Sequence, residues 1–160
     1  MNTMTNSLEA AIKLFPDDIF LEQEENIFVS ENRIPKNKNQ KAVFEKELRM
    51  ARIAAANGFC VCLLSEKSEG KNPDSIMNGE ITEFKNVTGN IKSVGKRFNE
   101  AMKQGKNVFL CIDSEVSIHE VYKKICGEIK ANKYTNGTIF VFCKKMYMWK
   151  IENLLEKCRK

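Results

Sequence analysis

Pro73-Asp74-Ser75-Ile76-Met77-Asn78-Gly79-Glu80-Ile81-Thr82-Glu83-Phe84-Lys85-Asn86 is the stretch whose reading decides the fold. Two strand-like runs meet at Asn78-Gly79, the dipeptide preferred in a tight type I′ hairpin turn. A turn of that kind sets the register by counting outward from it. Met77 then faces Glu80, Ile76 faces Ile81, Ser75 faces Thr82, and Asp74 faces Glu83. Lys85 lies on the same face as Glu83, one pleat further on. The count predicts a charged cluster of Asp74, Glu83 and Lys85, with the two acidic Cβ atoms about 5 Å apart. Ile76 and Ile81 share that face nearer the turn and are expected to lie under the rest of the fold.

Two carboxylates set opposite each other destabilise a hairpin unless something compensates them. Lys85 can neutralise part of the charge, or one acid can stay protonated beside its neighbour. A divalent cation can also bind between them, since Mg²⁺ favours one or two carboxylates with water and phosphate oxygens. Glu47, one helical turn before Met50 and Ala51 at the margin of an apolar helix face, is a further carboxylate able to reach the sheet on which that helix packs.

Working outward, Phe44, Leu48, Ala51 and Ala55 recur at helical spacing from Lys41, and Asn57-Gly58 closes that helix. FCVCLL (59–64) reads as a buried strand and SEKSEGKN (65–72) as a loop. Ile91, Val94, Phe98 and Ala101 mark a helix ending near Gly105, and NVFLCID (107–113) is another buried strand. A helix follows from the Ser117 cap, then a closing hairpin of TIFVFC (138–143) and YMWKI (147–151), and a terminal helix, ENLLEKCRK. Upstream, SLEAAIKLF (7–15) predicts a short helix with an Asn6/Glu9 capping box, stopped by Pro16. DIFLE and NIFVS are candidate strands, and ENRIPKNKNQ (31–40) is a polar connector expected to be flexible. The expected architecture is α/β (α+β), a mixed sheet with an αβββαβ core flanked by helices and parallel pairing at one crossover. Residues 1–40 form an extension and connector, and 41–160 the main domain.

At 160 residues, 42% apolar and 29% charged, the chain has the composition of a globular domain and not of a disordered one. No apolar run approaches the length of a membrane span, and MNTMTNSLEA has neither a basic leader nor an apolar h-region. Most of the cysteines sit in apolar runs, without the paired spacing of a zinc site. These features lead to the expectation of a reduced, cytoplasmic protein that makes no use of a membrane. Net charge is +5. The first forty residues are acidic on balance, while Lys85 to Lys106 is basic, with Lys92, Lys96, Arg97 and Lys103 against Glu100, a distribution suited to a polyanion.

Pro73-Asp74, eight residues, then Glu83-Phe84-Lys85, with Glu47 on the preceding helix, resembles the PD-(D/E)XK nuclease superfamily, which includes restriction endonucleases and bacterial toxin nucleases. The resemblance covers 41–113, and the αβββαβ order resembles that family's core. It implies a metal-dependent nuclease that hydrolyses phosphodiester bonds in DNA or RNA with Mg²⁺ or Mn²⁺. Asp74 and Glu83 would be metal ligands, with Glu47 adding a ligand directly or through water. Lys85 would orient or help deprotonate the attacking water and steady the developing charge. Lys92, Lys96, Arg97 and Lys103 would hold the phosphate backbone, and Gln104 resembles a glutamine that some members place near the site. Nucleic acid is the implied partner and, for a toxin, an immunity protein.

A competing resemblance is to barnase–RelE-type toxin ribonucleases, which need no metal and use acid–base chemistry on the RNA 2′-hydroxyl. Lys85, Thr88, Arg97 and a carboxylate would serve there, with Asn86 near the phosphate. The helix expected between the third and fourth strands and the single histidine, His119, speak against it, and His119 reads as structural. A non-catalytic nucleic-acid-binding accessory protein is the third reading. Tyr147 and Trp149 could stack on bases, but alternate along a strand as core residues do.

Overall fold

From its N-terminus the chain forms α1 (Thr3–Leu14), β1 (Phe20–Glu24), β2 (Ile27–Ser30), a 3-10 turn (Glu31–Arg33), α2 (Lys38–Ala56), β3 (Val61–Leu63), β4 (Ser75–Met77) and β5 (Glu80–Val87). There follow α3 (Ile91–Gln104), β6 (Asn107–Ile112), α4 (Ile118–Asn132), β7 (Thr138–Cys143), β8 (Lys145–Lys150) and α5 (Ile151–Cys158). The computed structural model describes residues 3–65 and 73–158. The run α2-β3-β4-β5-α3-β6 is the expected αβββαβ order, and the eight strands are hydrogen-bonded in chain order within a mixed sheet.

Pairing follows from what joins each pair of strands. β1/β2, β3/β4, β4/β5 and β7/β8 are antiparallel. β2/β3, β5/β6 and β6/β7 are parallel, so parallel pairing is more frequent than the single crossover expected from sequence. The reason is topological: α2, α3 and α4 stand between those strands, and parallel neighbours need a crossover that a helix supplies.

The chain divides into two compact units, Met1–Thr82 and Glu83–Lys160. In the first, α1 lays Ala11 on Phe28, Cys60, Cys62, Leu64 and Ile76, all nearly inaccessible. Ser7 is fully buried at the same helix: its hydroxyl donates to the Cys60 carbonyl (3.0 Å) and accepts from the Gly79 N–H (2.9 Å). One side chain thus ties α1 to β3 and to the hairpin turn. In the second unit, Val94, Phe98 and Ala101 of α3 and Val121, Ile125 and Ile129 of α4 cover Val87, Val108, Leu110, Ile139 and Val141. Burying a side chain such as Phe98, wholly inaccessible here, contributes about 2–3 kcal/mol.

Three expectations are corrected. The first helix starts by Thr3, so Asn6 and Glu9 lie within it and not at its start. The 31–40 segment is partly regular. It holds a 3-10 turn, and α2 begins at Lys38, where the Asn37 side chain accepts from the Gln40 N–H (2.9 Å). Ile81 is 37% exposed whereas its partner Ile76 is fully buried, because α1 covers β4 and leaves the neighbouring strand position open. The expected loop at 65–72 falls, from residue 66, outside the described residues. No described helix is long and apolar enough to cross a membrane.

Candidate active site

Asn78 and Gly79 both hold positive φ, 54° and 82°, as a type I′ turn requires. The ladder is the one counted from sequence: Met77↔Glu80, Ile76↔Ile81, Ser75↔Thr82. Ser75 Oγ donates to the Thr82 carbonyl (2.9 Å) at the far end of that ladder. Asp74 precedes β4, and Glu83 continues β5.

Glu83 is the chemically unusual residue of the hairpin. Its side chain lies in a strand interior and is 1% exposed, and carboxylates are almost never that buried without a specific reason. Glu83, Lys85 and Val87 alternate onto one face of β5, and Val87 identifies that face as the one covered by α3 and α4. Their β6 partners are Val108, Leu110 and Ile112. The residue after α3 closes over the acid, since a Cβ on Gly105 would lie 3.7 Å from Glu83 Cγ. Phe84 points the other way and meets Phe109 edge-on at 5.4 Å. Lys85 is half-buried.

Asp74 is half-exposed just before β4, and its carbonyl accepts from the Leu64 N–H (3.0 Å). Glu47 stands on α2, where its carboxylate forms an ion pair with Arg33 of the 3-10 turn. The two side chains are 16% and 7% exposed respectively. Arg33 carries no periodic signal in the sequence, because it precedes α2 and belongs to a turn. A search for basic partners along helix faces therefore passes over it.

On α3, Lys92, Lys96 and Lys103 are exposed and fall within about 40° of one another around the helix. Arg97 lies off that stripe and pairs with Glu100 (3.1 Å). Gln104 is exposed at the last position of α3, next to the Gly105 that abuts Glu83. His119 is exposed in the first turn of α4. Tyr147 and Trp149 pack against the second core, with Trp149 edge-on to Tyr122 (5.3 Å).

Among the described residues no group of three or more His, Cys, Asp and Glu side chains is assembled to hold a metal ion. The oxygen donors Asp74 and Glu83 suit a hard cation by their chemistry, while Glu47 is engaged by Arg33.

Comparison with known proteins places residues 71–146 in similarity to the contact-dependent growth inhibition CdiA C-terminal domain. This segment begins just before the hairpin and runs into β8. Among solved structures, a chain of the CdiA-CT/CdiI toxin and immunity complex from Burkholderia pseudomallei is 22% identical. The likeness covers 76% of this chain and 98% of that one, with a TM-score of 0.55, and shows a shared fold. No curated protein matches the chain.

Proposed function

We propose that this chain is a toxin-type nuclease that hydrolyses phosphodiester bonds of nucleic acid in the cytoplasm and is restrained by an immunity protein. The observation that carries the reading is Glu83, an acid 1% exposed in mid-strand with Lys85 one pleat away. Support for the toxin class comes from the similarity of residues 71–146 to the CdiA C-terminal domain. Support for an immunity partner comes from the fold shared with a chain of a CdiA-CT/CdiI toxin and immunity complex.

In this reading Asp74 and Glu83 would supply the carboxylates for Mg²⁺ or Mn²⁺. When bound, the cation lowers the pKa of a water and polarises the phosphoryl oxygens. Lys85 directs its ammonium at the attacking water and at a non-bridging oxygen, where charge accumulates as the water oxygen bonds to phosphorus and the P–O bond to the leaving group breaks. Burial of Glu83 keeps this carboxylate in one orientation, so its position is set before substrate arrives. Lys92, Lys96 and Lys103 hold phosphates along one helix stripe and contribute affinity without sequence choice.

The test is cleavage of supercoiled plasmid and of total tRNA, each with Mg²⁺ and with EDTA, by wild type and Glu83→Gln. Cleavage that needs the cation and Glu83 supports the proposal. Undiminished cleavage in EDTA transfers the chemistry to the metal-free acid–base mechanism with Lys85, Thr88 and Arg97.

A further inference from the structure

Beside the Arg33–Glu47 pair the first unit opens a cavity of about 380 Å³, within the range of small-ligand sites. Arg33, Lys36, Asn39, Gln40, Val43 and Phe44 contribute to its lining. We propose that this cavity receives one base of the nucleic-acid substrate, and that Asn39 and Gln40 select which base. The inference rests on the nuclease reading and extends it to substrate specificity.

The lining matches a base better than it matches a phosphate. Arg33 is the most buried cation there, but its charge is compensated by Glu47, so it presents no bare cation to an anion. Asn and Gln amides carry a donor and an acceptor side by side, the combination that pairs with the edge of a base. Gln40 is already oriented: its Oε1 accepts from the Lys36 N–H (2.9 Å), which leaves the amide NH₂ for a ligand. Phe44, 7% exposed, and Val43, 53% exposed, supply apolar surface for the faces of the ring. Lys36 is exposed and suits a flanking phosphate.

The cavity is also tied to Glu47. Val43 and Glu47 are one helical turn apart on α2, and Arg33 both lines the cavity and holds Glu47.

The test uses the full chain carrying Glu83→Gln, so that probes stay intact, and fluorescence anisotropy with single-stranded oligonucleotides of one repeated base, made as RNA and as DNA. One base is expected to bind about tenfold tighter than the others, and the RNA and DNA arms identify the sugar. Asn39→Ala and Gln40→Glu should bring that preference within about twofold. Gln40→Glu keeps the acceptor for Lys36 N–H while removing the amide donor. Lys36→Ala should weaken every probe by a common factor. No base preference in the parent chain, or a preference unchanged in both amide variants, overturns the proposal. With Glu83 present, cleavage whose base preference ignores Asn39 and Gln40 removes the pocket and leaves the nuclease reading standing. Base preference that depends on them in a chain that cleaves nothing does the reverse.

Discussion

Arg33 and Glu47 form an ion pair in which both side chains are largely withdrawn from water, at 7% and 16% exposure. The pair links the 3-10 turn to α2 and commits Glu47 to a partner inside its own unit. Buried pairs of this kind add little net stability over apolar residues, but removing one member strands the other. Arg33→Met should therefore destabilise the chain by about 3 kcal/mol, while the double variant Arg33→Met/Glu47→Met recovers most of that loss. Urea unfolding midpoints of the two variants check this.

Gly137 is a second position where geometry is decisive. Its φ is +136°, and a Cβ there would meet the Lys106 carbonyl oxygen at 2.1 Å. Backbone strain and a backbone clash act together, so Gly137→Ala should cost about 3 kcal/mol. Gly58→Ala, at φ +91° with nothing within 4 Å of the added Cβ, should cost only about 1 kcal/mol. Thermal melts in which the two losses are equal would contradict the crowding at Gly137.

Glu128 joins α3 to α4: its Oε2 accepts from Asn99 Nδ2 (2.8 Å), and Lys124 lies 3.3 Å from Oε1. The Asn99 hydrogen bond first, then Lys124 and Asn132, hold its carboxyl below the usual carboxylate range. A carboxylate whose folded pKa is lowered contributes stability above the unfolded pKa, about 4.3, and loses it as pH falls through the folded value. Asn99→Ala should melt lower than wild type at pH 7 by about 2 °C, with the gap narrowing below about pH 4. A gap that widens in acid would reverse the assignment.

In the proposed nuclease, Lys85 would serve the chemistry and the α3 stripe the binding of phosphates. Lys85→Ala should lose turnover by about a hundredfold or more with a modest change in affinity for nucleic acid. Lys92→Ala, Lys96→Ala or Lys103→Ala should each weaken binding on all sequences and reduce the salt slope by about one unit, with turnover on bound substrate retained. Single-turnover rates and binding measured across salt concentrations distinguish the two groups. Full activity in Lys85→Ala would move the reacting centre elsewhere.

Cys60 and Cys62 sit on the α1-covered face of β3, both buried. The Cys62 thiol is pushed far up by its hydrogen bond with Cys60 and by burial, so it has almost no thiolate at neutral pH. Both side chains are inaccessible, so native protein should alkylate slowly at these positions and rapidly once unfolded; peptide mapping after iodoacetamide treatment reads this directly.

Local signals were sufficient for much of the fold. Asn78-Gly79 specified its own turn conformation and, through a side-chain period of two, the hairpin register. Helical spacing and the Asn57-Gly58 stop located the main body of α2, and crossover helices made parallel pairing necessary. What local spacing could not reach was decided by tertiary contacts. α1 buries Ile76 and leaves its cross-strand partner Ile81 open, although the two have the same side chain and the same strand environment in sequence. The 31–40 segment reads as polar and loose, yet Asn37 caps α2 and Arg33 turns inward. Arg33 does so because Glu47, carried on α2, is taken from water and needs a cation. Glu83 likewise gives no hint of burial as a charged residue in a strand. It is enclosed because β6 pairs beside it and the end of α3 closes at Gly105, contacts between residues distant in sequence that only the assembled chain creates.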